Sequence, residues 1–182
     1  MVKCQRLSDA VFELRYTLEG EFAHLTIRDP TSPRRADRLW QHTCFEAFVA
    51  ADQGAAYYEF NFAPSTEWAI YRFSAYREGM TAVEAAAPRI TVRRSADRLD
   101  LGVLIDLEQL PALRDSSNLR LALAAVIEDA DGRVSYWAIV HPADKPDFHH
   151  PDNFTLALPP PTTVAPPESL PPPQPSPWEG EG

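Results

Sequence analysis

Short runs that alternate apolar and polar side chains recur along most of the chain, and few stretches carry the three-to-four-residue apolar spacing of a helix. Residues 11–18 (VFELRYTL) are dense in β-branched and aromatic side chains, and Glu19-Gly20 follows as a turn signal. Residues 21–28 (EFAHLTIR) alternate, with Phe22, His24 and Thr26 on one side and Ala23, Leu25 and Ile27 on the other. These two runs predict a hairpin. A polar loop over 29–38 (DPTSPRRADR) leads to three further strands at 43–50 (TCFEAFVA), 57–63 (YYEFNFA) and 67–73 (EWAIYRF). Their short connections predict an antiparallel meander.

Residues 74–89 carry an Ala-rich half, TAVEAAAP, which predicts a helical turn stopping at Pro88. Residues 90–94 and 98–106 flank Ser95-Ala96-Asp97 as a second hairpin. Residues 107–113 (LEQLPAL) contain Pro111 and predict a short helical connector. Residues 119–127 (LRLALAAVI) and 133–140 (RVSYWAIV) flank a turn with Asp131-Gly132 at its tip. A loop over 141–153 (HPADKPDFHHPDN) precedes a last strand at 154–158. Some ten short strands, one or two helical turns and no repeating βα unit predict an all-β, antiparallel β-sandwich.

Proline marks the end of that pattern. Of 18 prolines, ten fall in residues 159–182, a stretch with no apolar period. The chain therefore divides into a sandwich over 1–158 and a disordered, polyproline-II-prone tail over 159–182. The tail reads more simply as a dispensable extension than as a ligand for a Pro-recognising domain. Formal net charge is −9, with 17 Lys and Arg against 26 Asp and Glu, which argues against a general nucleic-acid binder. There is no apolar run long enough for a membrane helix and no signal-peptide pattern, so the expected compartment is the cytoplasm. The two cysteines, Cys4 and Cys44, are too few for a disulfide framework and read as buried small hydrophobes.

Candidate chemistry is limited. The glycines before the tail (Gly20, Gly54, Gly79, Gly102, Gly132) are too dispersed for a phosphate loop or a dinucleotide fingerprint. One constellation lies on the meander: Glu46, Glu59 and Asn61 among aromatic neighbours, with Arg72 on the next strand. Carboxylates and an amide beside aromatic rings suit sugar hydroxyls and C–H surfaces; the same residues also fit a solvated face with Glu–Arg cross-strand pairs. A second constellation is the loop holding Asp144, Asp147, His149, His150 and Asp152, with Phe148 expected to plug the core. Adjacent histidines point apart on extended backbone, so a shared metal is disfavoured and no metal site is expected. Trp40 closes the polar loop and is expected at a rim, whereas Trp68 and Trp137 are expected in the core more than on a ligand platform.

The segments LWQHTCFEAFVA, YYEFNFAPSTEWAIYRFSAYREGM and HPADKPDFHHPDNF resemble bacterial DOMON-like proteins of the carbohydrate-binding-module-9-like superfamily. The resemblance spans roughly residues 39–158 and implies an antiparallel β-sandwich that binds a ligand without catalysis. Joined to the meander constellation, this gives the expectation of a site for a saccharide or sugar-containing metabolite, with polar contacts from Glu46, Glu59, Asn61 and Arg72, aromatic surface from Trp40, Trp68 and Tyr71, and His149 and His150 at the rim. The superfamily's haem-binding branch uses a Met and a His, here Met80 and His149, and gives an electron-transfer alternative. A protein-interaction module is a second alternative. No cofactor is expected under the saccharide reading, and no enzyme activity.

Overall fold

A computed structural model of the protein describes residues 1–142 and 146–161. The Pro-rich stretch expected to be disordered falls almost wholly outside the described residues, as does Asp144. Among the described residues, the chain forms β1 (Val2–Arg6), β2 (Val11–Glu19), β3 (Cys44–Ala51), β4 (Tyr57–Phe62), β5 (Trp68–Phe73) and β6 (Thr81–Ala82). It continues with β7 (Arg89–Arg94), β8 (Arg98–Asp106), the single-turn helix α1 (Pro111–Arg114), β9 (Leu119–Glu128), β10 (Val134–Ala138) and β11 (Leu156–Leu158). Two antiparallel sheets result, one of four strands in the order β1-β2-β8-β7 and one of seven in the order β10-β9-β3-β4-β5-β6, with β11 paired to β9. The all-β sandwich predicted from the alternation is the fold found.

Period-two alternation decides which residues meet between the sheets. The four-stranded sheet contributes Phe12, Leu14, Leu99, Leu101, Val103 and Ile105; the seven-stranded sheet contributes Phe45, Val49, Phe60, Phe62, Ile70 and Leu121. Phe12 and Phe60 cross edge to face at 6.1 Å. Each large side chain so buried contributes about 1.5–3 kcal/mol. Tyr16 of β2 adds a polar tie between the sheets, its hydroxyl donating to the Glu46 carbonyl at 2.9 Å.

Three local expectations are corrected. The hairpin of 11–18 with 21–28 does not form, because β2 is flanked by β1 on one side and β8 on the other and has no free edge. Residues 21–28 hold a 3-10 turn (Phe22–His24) and one isolated bridge, Leu25 to Asp129. β1 gave little sequence signal, since only Val2 and Cys4 mark its inner face. The stretch TAVEAAAP forms no helical turn: Thr81–Ala82 pairs with β5, the Val83 N–H donates to the Ile70 carbonyl, and the Ala86 N–H donates to Gln109 Oε1. These donors are committed to partners outside the segment and not to a helical turn.

Candidate functional site

The outer face of the seven-stranded sheet, turned away from the partner sheet, is not a plain solvated surface. Register sets Ala124, Glu46, Asn61 and Ala69 in one row across β9, β3, β4 and β5. The next row is Ala122, Phe48, Glu59 and Tyr71. Glu46, Glu59 and Asn61 are 3%, 5% and 0% exposed. The loop carrying Phe148 and the 3-10 turn Leu39–Gln41 cover this face, so Leu39, Cys44, Phe48, Tyr57, Phe73 and Phe148 make a second apolar cluster on it. The sequence reading joined Glu46, Glu59 and Asn61 on a single face, and the register does so.

Burial controls the charge of these groups. Glu46 has no side-chain hydrogen bond to Oε1, and burial, helped by the charge of Glu59, pushes its carboxyl well above the usual range. Burial also raises Glu59, while a 2.7 Å hydrogen bond from Asn61 Nδ2 and the nearby Arg77 charge favour its ionised form. The two carboxyls are thus drawn toward different states, Glu46 as the acid and Glu59 as the better candidate for the anion. Cys44 Sγ lies 3.6 Å from Asn61 Oδ1, and burial holds the thiol well above its ordinary value, so it is not a nucleophile.

Two rims flank the cluster. On one side the loop before the Leu39–Gln41 turn runs along β5, with the Ala36 N–H donating to the Trp68 carbonyl and the Trp68 N–H to the Arg34 carbonyl. This path brings Asp37 to the Tyr71 hydroxyl at 2.7 Å and the Arg35 guanidinium over the Tyr71 ring at 5.7 Å. Trp40 meets the same ring edge to face at 5.8 Å and packs, half-buried, against the edge of the apolar cluster. On the other side Arg77 pairs with Asp147 at 2.7 Å, and Asp147 also accepts from the Tyr76 hydroxyl. His149 stands between this rim and the cluster, edge-on to Phe48 and Phe73 at 4.9 and 5.0 Å. Burial and the Arg77 charge lower its imidazole to about 4. His150 lies farther out, edge-on to Tyr76 at 6.1 Å.

Several expected site residues lie elsewhere. Arg72 does not converge with Glu46 and Glu59: it lies opposite Tyr58 in the register, on the other face of the sheet, and is exposed. Tyr71, its neighbour, takes the position beside Glu59 because adjacent strand residues point to opposite faces. Trp68 likewise belongs to the core between the sheets, with Nε1 buried and unpaired, and is no platform on this face. Trp137, expected in the core, is 63% exposed on the edge strand β10. Met80 is 54% exposed in the loop before β6, whereas His149 is turned inward with both ring nitrogens facing Tyr57 and Glu59. That arrangement gives the Met80–His149 haem alternative no support. Among the described residues, no group of three or more His, Cys, Asp or Glu side chains is placed to hold a metal ion.

Arg35, Asp37, Tyr57 and Arg77 border the candidate site but are not among the residues expected there from sequence. The proximity of Arg35, Asp37 and Arg77 depends on loop paths, with polar residues crowded beside aromatic ones before Trp40 and around Tyr76 as the local signal, whereas Tyr57 shares the face of Glu59 by alternation along β4.

No protein-family model matches the sequence. No curated protein matches it either. A candidate carbohydrate-binding protein of Bacteroides uniformis ATCC 8492 has a similar solved structure, with 14% identity and a TM-score of 0.57, over 87% of this chain and 85% of that one. A family 9 carbohydrate-binding module from Caldicellulosiruptor kristjanssonii, solved in complex with glucose, is similar at 12% identity and a TM-score of 0.43, over 74% of this chain and 62% of that one. At such identities the likeness to the Bacteroides protein shows one thing, that this chain shares its fold.

Proposed function

We propose that the protein is a non-catalytic, DOMON-like binding domain that takes a saccharide, or a metabolite containing one, at the outer face of the seven-stranded sheet. The observation that carries this reading is the unpartnered Oε1 of Glu46, buried beside the Glu59–Asn61 pair. Placing two carboxyls and an amide under a hydrophobic cover is costly, and apolar side chains would close the same sheet more cheaply. A ligand with several hydroxyls offsets that cost. Protonated Glu46 donates one hydrogen bond and accepts others, Glu59 accepts, and Asn61 does both. Trp40, half-buried against the Tyr71 ring at the rim, supplies the ring surface that packs on sugar C–H groups. The shared fold with a candidate carbohydrate-binding protein supports the same ligand class.

The test is a calorimetric and NMR screen of neutral mono- and oligosaccharides against the protein, Glu59→Gln and Trp40→Ala. A bound sugar shifts the amides of β3, β4 and β5, and each variant weakens it by about tenfold while unfolding as cooperatively as the parent. Binding that survives both variants, or a panel in which no sugar shifts those strands, overturns the reading. Hydrolysis of an aryl glycoside at the same face overturns its non-catalytic part.

A further inference from the structure

The outer face of the four-stranded sheet lies on the opposite side of the sandwich from Glu46 and is unlike the rest of this acidic protein. It forms an open cleft of about 850 Å³. Its lining includes Lys3, Arg15, Arg89, Arg93 and Arg98, five cations, against two carboxylates, Glu13 and Asp100. The whole chain carries −9, so a local excess of cations here is a departure from the general surface.

Register organises these charges. Lys3, Arg15, Gly102 and Thr91 form one row across β1, β2, β8 and β7. Thr17, Asp100 and Arg93 form the row beside it. Gly102 leaves the floor open at the centre: a Cβ there would sit 2.8 Å from Thr91 Oγ1. Arg15 and Arg98 are held by Glu13 and Asp100, each at 2.7 Å. Lys3, Arg89 and Arg93 make no ion pair among the described residues.

We propose that this cleft is a second binding site, for a saccharide that carries an oxyanion, supplied by a uronate carboxylate or a phosphate ester. The cations without partners supply forked and point-charge donors to the oxyanion. Glu13 and Asp100 repel a ligand charged along its length, such as a nucleic acid, but accept hydrogen bonds from hydroxyls, as does Thr91. The cleft's one aromatic residue, Tyr16, is buried, so recognition here rests on charge and hydroxyls without ring stacking.

Titration of isotope-labelled full chain with glucuronate, glucose 6-phosphate, glucose and inorganic phosphate tests this. An acidic sugar is expected to shift amides of β2, β7 and β8 with a Kd in the roughly millimolar range or below, weakening as salt rises. Which of the two acidic sugars binds identifies the oxyanion. Arg89→Gln/Arg93→Gln, both exposed positions, is expected to weaken binding about tenfold with unchanged thermal unfolding. The proposal is overturned if neither acidic sugar shifts those strands, if the double variant binds as well as the parent, or if inorganic phosphate binds as tightly as glucose 6-phosphate. Glucose shifting only β3, β4 and β5 reports on the other face and leaves the two sites distinguishable.

Discussion

The Tyr57 hydroxyl stands 2.8 Å from His149 Nδ1 and also accepts the Arg77 backbone N–H at 3.2 Å. Its own proton is therefore free to go to Nδ1, which fixes the imidazole as the Nε2–H tautomer. That N–H faces Glu59 Oε2 at 3.7 Å, too far for a direct hydrogen bond. Two polar groups thus face each other without a hydrogen bond between them.

The same arrangement predicts an acid response. His149 is held near 4 in the fold, against about 6.5 in an unfolded chain. Between those values the unfolded chain binds the proton that the fold refuses. The His149 contribution is thus constant above pH ~6.5 and is lost as pH drops toward ~4, by on the order of 3 kcal/mol, the opposite slope to that of the buried Glu46 carboxyl. Imidazole NMR titration should show one histidine titrating near 4, and His149→Gln should abolish its share of the acid loss. A His149 that titrates normally would mean that the site is open to water.

Phe148 closes the cluster. It is buried against Phe48 at 6.5 Å and edge-on to Tyr136 at 6.0 Å. Phe148→Ala should cost about 3 kcal/mol, since the cavity opens under a loop that can collapse only in part. Trp137→Ala removes a larger but exposed ring and should change stability by about 0.5 kcal/mol or less. Chemical denaturation of the two variants side by side checks the contrast.

Strand content was legible because alternation is local. Alternation alone put Glu59 and Asn61 on one face of β4; that Glu46 joins them is set by the β3–β4 register. Arg72 was misplaced although the same rule applied, since Tyr71 and Arg72 cannot share a face; which of them faced Glu59 needed the β4–β5 register. The hairpin of residues 21–28 failed for a non-local reason, the prior claim of β8 on the edge of β2. Asp37 and Arg77 meet the site through loop paths, and no periodicity encodes those; Tyr57, two residues before Glu59 on β4, shares its face by the same alternation.

Arg6 predicts a stabilising role unrelated to the ligand. Its guanidinium is buried and donates to the carbonyls of Ser116, Asp9 and Arg114 at 3.0, 3.0 and 3.3 Å. It thereby ties β1 to the end of α1. Arg6→Ala leaves those carbonyls without donors and should cost about 3 kcal/mol. Arg6→Lys should recover only part, because one ammonium cannot reproduce the planar fork. Urea midpoints of the three proteins decide it; a cost within error would show that water replaces the guanidinium.

Glu46 gives the sharpest test of the buried cluster. Its carboxyl is held protonated by burial, with the Glu59 charge acting in the same direction. Below pH ~4.3 folded and unfolded chains both keep the proton, so its contribution to stability is complete. Above that, the unfolded chain releases a proton that the fold retains, and stability falls by ~1.4 kcal/mol per pH unit until the folded value is passed. Glu46→Gln keeps the shape and cannot ionise. It should match the parent near pH 4 and become progressively more stable than it toward neutral pH. The His149 response is common to both proteins and cancels in the comparison. Glu59→Gln should open a smaller gap, because Asn61 and Arg77 already favour the Glu59 anion. Denaturant midpoints of all three from pH 4 to 8 measure these gaps. Parallel curves for the parent and Glu46→Gln would show that Glu46 titrates normally, removing the uncompensated buried acid on which the saccharide reading rests.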